Sequence, residues 1–393
     1  MLLCRNGEKQ WLSLTLQQKK GTIKVTYGKV VFKMKKTTKL LACFLTLLCV
    51  CLPCVLGVSA AGENKTISML CYNVAGLPSI DDLLNKPDAQ HLTTNQTLLG
   101  QQLNESAYDV IAVQEDFNYH RYLEKGLTSY PNKTNHTGGV PGGDGLNVFA
   151  RVPVYNETRT TWDSLYGVID DGADEMTPKG ILYTVLDLGD GVLVDLYDIH
   201  ADAYGDAGST AARKDNFRQL AEIIQKRGTD RPVIVTGDFN ASVHIGGGDG
   251  LNELLYQGCG LKDAWFEVCN GGDYENYSYW EETYGGGWPN YWGVWDSLEK
   301  FLYRDGGGIH VEANTFAYTD FLDNEGRSIS DHKAAEATFT FSKTEDFAES
   351  DEALSVTNAP KKHEFILKKL FIILIDLFKA IAHFDEARAF LGF

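Results

Sequence analysis

The sequence predicts an α/β protein of stacked sheets with helices on their outer faces. Short stretches rich in β-branched and aromatic residues recur along the chain, and several are apolar on both faces, as strands buried between two layers must be. Few long helical periodicities lie between them. With 393 residues, 44% of them hydrophobic, the chain can bury a large core.

In chain order, Met34 to Lys39 is basic, Leu40 to Val58 is an apolar run, and Ser59-Ala60-Ala61 is small. This is the layout of a secretory signal over residues 34–61, cut after Ala60 or Ala61, which implies a secreted or extracellular protein. A signal opens a chain, so residues 1–33 read as an upstream extension. The apolar run is also long enough to span a bilayer, so an uncleaved anchor is the alternative.

The body covers residues 64–342. Strands are expected at Thr66 to Val74, Asp109 to Gln114, Leu146 to Ala150, Ile181 to Leu186, Val192 to Ile199, Val233 to Thr236, Leu298 to Tyr303 and Ala334 to Phe341. Helices are expected at Gln96 to Glu105 and Thr210 to Lys226, the second with Leu220, Ile223 and Ile224 on one side. Residues 343–363 are acidic and poor in large apolar side chains, and read as a linker. In the last segment, 364–393, a helix over 365–384 gathers Lys368, Lys369, Asp376, Lys379 and His383 into an arc of roughly 100° with the rest apolar. Such a helix suits a membrane surface, or packing on the domain or a partner.

Composition narrows the function. The formal charge of −17 argues against a stable nucleic-acid partner, because phosphate binding is driven by basic surface. It does not exclude a nuclease, since a bound divalent ion inverts the local field. Of eight cysteines, Cys71, Cys259 and Cys269 fall in the body. Cys71 lies in an apolar strand pattern and reads as a buried thiol, while Cys259 and Cys269 could close a short loop disulfide in an exported protein. No pair of CxxC motifs marks a structural zinc site.

The chemistry-bearing residues sit at strand ends. Val233-Ile234-Val235-Thr236-Gly237-Asp238-Phe239-Asn240 is a buried strand, a turn-permitting glycine, then two polar side chains on one face. Other strands end at Asn73, at Glu115 in Gln114-Glu115-Asp116, and at His200, and Ser330-Asp331-His332 precedes the last strand. Any one of these alone is more often a surface or capping residue than a ligand.

Together and in this order, Gln-Glu, Gly-Asp-Phe-Asn and Ser-Asp-His resemble the endonuclease/exonuclease/phosphatase superfamily, also called DNase I-like, over Thr66 to Phe341. The resemblance implies a four-layer αββα sandwich of two packed mixed sheets. It implies a divalent ion, usually Mg2+ and otherwise Mn2+ or Ca2+, held by Glu115 with Asn73, while Asp331 helps with the metal or with the histidine network; hard oxygen donors suit such an ion. It implies that His332 activates a water, that Asp238 and Asn240 position the phosphate and nucleophile, and that His200 meets a phosphoryl oxygen or aids the leaving group. The carboxylate orienting the histidine is normally an aspartate; here Glu299 occupies the matching position, with nearby Asp296 as the alternative.

Within the superfamily, Asp174 to Gly180 is similar to the Asp-x4-Lys-Gly segment of neutral sphingomyelinases, in which the lysine, here Lys179, approaches the substrate phosphate. Asn73-Val74-Ala75-Gly76-Leu77-Pro78 is likewise sphingomyelinase-like. The segment 274–295 interleaves tyrosines and tryptophans with glycines; it suits a membrane interface or a choline-sized pocket, or a secondary core under a loop. The expected function is a secreted, metal-dependent phosphodiesterase of phospholipids, sphingomyelinase-like, with possible membrane contact through 365–384 and 274–295. Alternatives are an extracellular nuclease, a phosphoinositide phosphatase, or a surface-binding protein without activity.

Overall fold

The computed structural model describes residues 2–5, 8–11, 17–19, 22–27, 30–34, 64–77, 90–167, 174–241, 249–274, 298–349 and 352–355. The segment 35–61 of the expected signal, the C-terminal segment 364–393, Asp296 and the aromatic loop beyond Tyr274 lie outside the described residues. The chain falls into two compact units, Met1–Ala61 and Gly62–Phe393. The first holds a hairpin of β1 (Leu2–Arg5) and β2 (Glu8–Trp11), and an antiparallel sheet of β3 (Gln17–Lys19), β4 (Thr22–Tyr27) and β5 (Val30–Met34).

The second unit is built on two six-stranded sheets. One runs β16-β17-β6-β7-β9-β8, from β6 (Lys65–Asn73), β7 (Val110–Gln114), β8 (Asn132–Lys133), β9 (Asn147–Ala150), β16 (Ile309–Thr319) and β17 (Ala334–Lys343). The other runs β10-β11-β12-β13-β15-β14, from β10 (Val154–Thr161), β11 (Gly180–Asp187), β12 (Leu193–His200), β13 (Val233–Asp238), β14 (Lys262–Asp263) and β15 (Glu299–Arg304). Both are mixed: β6 with β7 and β12 with β13 are parallel, and the other pairs are antiparallel.

The two-residue pleat sorts the side chains into layers. Leu70, Tyr72, Ile111 and Val113 turn outward, where Leu99 and Leu103 of α1 (Gln90–Ser106) and Leu123 of α2 (His120–Gly126) cover them. Met69, Cys71, Val110 and Ala112 belong to the main core with the second sheet. Beyond that sheet, α3 (Ala207–Arg227) packs Phe217, Leu220 and Ile224, each fully buried and each contributing about 1.5–3 kcal/mol of apolar transfer. Asp206 caps its N-terminus by accepting from Gly208 N and Ser209 N, and Gly228 follows its last turn. The architecture is therefore the four-layer αββα sandwich expected.

Three local features depart from the sequence reading. The edge strands β10 and β16 were not anticipated; each carries a register shift, at Tyr155/Thr158 and Ala313/Thr315, that breaks the alternation by which strands are recognised. Residues 343–363 are not all linker: β17 runs to Lys343, Phe347 and Leu354 pack against the core, Glu352 pairs with Arg231 at 2.7 Å, and Ser355 Oγ donates to Asn156 Oδ1 at 2.8 Å. Sparse apolar residues suffice when each meets the domain. Cys259 and Cys269 are free thiols, not a disulfide: the first faces Ala221 O, and the second, the last residue of α4 (Ala264–Cys269), faces Phe316 O.

Candidate active site

Strand register alone brings the polar ends together. His200 is opposite Asp238 in the β12–β13 pair, and Asp238 is opposite Glu299 in the β13–β15 pair. On the facing sheet Asn73 is opposite Gln114, the residue before Glu115. Gly237 permits the close fit: its φ is +137°, and a Cβ there would lie 2.0 Å from Ile199 O. Glu115 and Asn240 both adopt left-handed backbone, with φ of 56° and 48°, which aims their side chains off the ends of their strands.

Asn73 sits at the centre. Its Nδ2 lies 3.1 Å from Glu115 Oε1, 3.0 Å from Asp238 Oδ2 and 3.4 Å from His332 Nε2, so groups from both sheets converge on one amide nitrogen. Its Oδ1 accepts from Ala75 N, and its carbonyl accepts from Ser330 Oγ, which in turn accepts from His332 N. His332 Nδ1 donates to Glu299 Oε1 at 2.6 Å, leaving Nε2 toward the centre. His200 Nε2 is 3.5 Å from Asp238 Oδ2, while its buried Nδ1 has no hydrogen-bond partner among the described residues. Asn240 donates its backbone N–H to Asp238 Oδ1 and its side-chain amide to Ala201 O.

Lys179 closes one side. It is buried, ion-paired with Asp174, and Asp174 also accepts from Ala203 N at 2.9 Å. The glycine after it is required: a Cβ on Gly180 would stand 2.0 Å from Thr160 O of the β10 edge. Trp162 links this side to the histidine, since its indole Nε1 donates to His200 O at 2.7 Å and its backbone N–H to Lys179 O at 3.0 Å.

The electrostatics follow from burial and these pairings. Burial opposes a charge on His332, yet Glu299 and Asp238 hold its imidazolium well above the ordinary histidine value. Burial, and then Lys179, pushes His200 well below it, so this ring is neutral. Burial raises Glu115, with Lys179 and His332 pulling the other way. For Asp238 burial is outweighed by His332 and His200, and the carboxyl is held down. Burial opposes the charge of Lys179, but Asp174 and Glu115 keep it protonated.

The donor set fits a hard cation. The Glu115 and Asp238 carboxylates and the His332 ring converge on one amide nitrogen, with Asp238 and Glu299 buried and Glu115 half-buried, so negative charge gathers where little water can offset it. Asp238, Glu299 and His332 also offer ligand atoms within 4.8 Å of one another. Oxygen donors of this kind select magnesium, manganese or calcium over softer ions.

The Endonuclease/Exonuclease/phosphatase family model matches residues 70–299, which include Asn73, Glu115, Lys179, His200, Asp238 and Glu299. The chain belongs to this family. It is 33% identical over 285 residues to a sphingomyelinase of Mycobacterium bovis, an alignment covering 70% of this chain and 52% of that protein. The chain thus spans about half the length of the curated relatives it matches. Among solved structures it is similar to D. rerio TDP2 complexed with single-strand DNA product (TM-score 0.51, 18% identity, 70% of this chain and 98% of the other). It is also similar to sphingomyelinase C from Streptomyces griseocarneus (TM-score 0.46, 18% identity, 70% and 99%).

In this Endonuclease/Exonuclease/phosphatase protein the structure joins Asn73, Glu115, His200, Asp238, Asn240, Glu299 and His332 in one network, with Asp174 and Lys179 beside it. Asp331 is exposed, and only its charge acts on Glu115 and His332. Tyr274, the first residue of the aromatic loop, is half-buried and packs against the core: its ring stacks on Phe266 at 4.5 Å and its hydroxyl accepts from Asp263 N. Sequence reasoning gave no role to Ser330 and Trp162. Ser330 stood inside the quoted Ser-Asp-His motif; Trp162 carried no signal, because its partners are main-chain carbonyls.

Proposed function

We propose that the protein is a secreted, divalent-cation-dependent phosphodiesterase that cleaves sphingomyelin-type phospholipids into ceramide and phosphocholine. The observation that carries this reading is the convergence of a buried lysine, a neutral histidine and a carboxylate-bound histidine on one cation-suited centre. Magnesium, or manganese or calcium, held by Glu115 with Asn73, supplies neutralising charge to the phosphoryl oxygens when bound. His332, charged in the cation-free site, would shed its Nε2 proton when a divalent ion adds positive charge beside it; with its Nδ1–H fixed by Glu299 it then takes a proton from water at Nε2 as the water oxygen attacks phosphorus. Asp238 and Asn240 orient that water and the phosphate. Lys179 and His200 face the phosphoryl oxygens; the P–O bond to ceramide breaks, the departing oxygen takes its proton from solvent water, and His332 Nε2 returns the proton it accepted to solvent.

The 33% identity to a sphingomyelinase supports the lipid substrate, as does the position of exposed apolar side chains. The large hydrophobics exposed among the described residues are Leu77, Tyr166, Tyr204 and Leu322. Leu77 and Tyr204 follow Asn73 and His200 by four residues, so the face carrying the site is the face suited to a lipid surface. The basic-apolar-small pattern of residues 34–61 supports export.

Phosphocholine release from sphingomyelin vesicles tests the reading. Release should require magnesium or manganese, stop with chelator and be lost in Glu115→Ala and His332→Ala. Lysophospholipid, phosphoinositide and single-stranded DNA belong in the same panel. Cleavage of DNA with intact sphingomyelin would replace this reading with a nuclease.

A further inference from the structure

One buried acid lies beneath the site and takes no part in the chemistry above. Asp198, in the middle of β12 and two residues before His200, is fully buried between the sheets. Its Oδ1 accepts from Gln114 Nε2 at 2.6 Å, and its Oδ2 has no hydrogen-bond partner among the described residues. Gln114 is also fully buried, and its Oε1 faces the Cys71 thiol at 3.7 Å. Asp198 and Gln114 belong to different sheets, so their hydrogen bond is a cross-tie between the two.

Gln114 is the last residue of β7, and Glu115 follows it in left-handed backbone. A glutamate holds that conformation only where its surroundings over-determine it. The main chain supplies part of this: Val74 N donates to Gln114 O, Asp116 N to Gly145 O, and Phe117 N to Glu115 O. The side chain of Gln114 has one strong fixed partner, Asp198. Burial holds the Asp198 carboxyl well above the usual range, so Gln114 meets a neutral acceptor.

We infer that Asp198 is a positioning residue for the cation ligand Glu115: by accepting from Gln114 across the two sheets, it fixes the residue from which Glu115 turns into the site. The inference rests on the reading of Glu115 as a ligand, and not on the identity of the lipid. Groups that orient ligands typically change metal affinity by about 10–100-fold when removed.

The test is Mn2+ binding followed by electron paramagnetic resonance on the full chain, with near-UV circular dichroism and Tm on every variant. Asp198→Leu keeps the number and branching of side-chain heavy atoms and removes the acceptor; Gln114→Met removes the donor and serves if the first does not fold. Each should weaken Mn2+ by about 10–100-fold, and Asp198→Asn, which keeps an acceptor oxygen, should restore affinity to within about 3-fold of wild type. A purely structural Asp198 moves Tm and leaves Mn2+ affinity unchanged, which overturns the inference. It is overturned equally if Asp198→Asn loses as much as Asp198→Leu, or if wild type binds no Mn2+. Sphingomyelin hydrolysis is measured separately: its absence alongside the expected Mn2+ series removes the lipid reading and leaves this one standing.

Discussion

Glu299 accepts a hydrogen bond from His332 Nδ1 at 2.6 Å although its side chain is one methylene longer than the aspartate that the resemblance implies at this place. Burial of Glu299 at 2% exposure leaves the carboxylate little freedom to swing away. Glu299→Asp would retract the carboxylate by about 1.5 Å and break the contact. We expect both Glu299→Asp and Glu299→Gln to lower kcat for phosphocholine release by about 10²–10⁴, with KM little changed. Wild-type kcat in Glu299→Asp would mean that another carboxylate orients His332.

The same contact fixes a pH dependence. Burial works against the His332 imidazolium, but Glu299 and Asp238 outweigh it, so in the cation-free protein the folded pKa lies well above the ordinary value of 6.5. A raised histidine contributes stability that is complete below the unfolded pKa and is lost as pH rises through the folded one. NMR titration of His332 in chelator should show it charged at neutral pH. Glu299→Gln should bring its titration down toward the ordinary value, and a wild-type His332 that is neutral at pH 7 contradicts the assignment.

Asp202 provides a stability test away from the chemistry. It is buried, accepts from Tyr166 N at 2.6 Å, and is raised from 3.8 to about 7 by burial and by Asp174. For an acid raised in the fold, stability is fully present below 3.8 and falls as pH rises to about 7, at up to about 1.4 kcal/mol per pH unit. Asp202→Asn keeps an acceptor for Tyr166 and loses the slope. Urea denaturation should therefore find the variant increasingly more stable than wild type from pH 4 to pH 7; parallel profiles would show that Asp202 is charged in the fold.

What could be read in the sequence were features with a local period. The strands ending at Asn73, Gln114, His200 and Asp238 are near-continuous apolar runs closed by polar residues, and the αββα layering follows from them. Features that depend on geometry between distant residues were not legible. The bulges at Asn156 and near Asn314 hide β10 and β16, and the contacts of Trp162 with two carbonyls leave no side-chain motif. Asp198 looked like one more polar residue in a strand. Only the facing sheet shows that it meets Gln114. Asp331 illustrates the converse, since its motif is intact yet its side chain is exposed.

Lys179 is the residue whose replacement separates cation binding from turnover. Its charge lies close enough to Glu115 that each shifts the other, and it remains protonated because Asp174 and Glu115 outweigh its burial. Lys179→Met keeps an unbranched side chain only one atom shorter and removes the charge. Without it the site loses a positive group that competes with a divalent ion, so Mn2+ should bind more tightly, by about 10-fold if the charges interact by about 1.4 kcal/mol. The phosphate loses a buried cation at the same time, and removal of such a group should cost about 10²–10³ in kcat/KM. Tighter Mn2+ with weaker turnover is the signature of a lysine that faces substrate phosphate. Weaker Mn2+ with unchanged turnover would instead make Lys179 a structural partner of Asp174. Measuring the two quantities on one preparation decides between them.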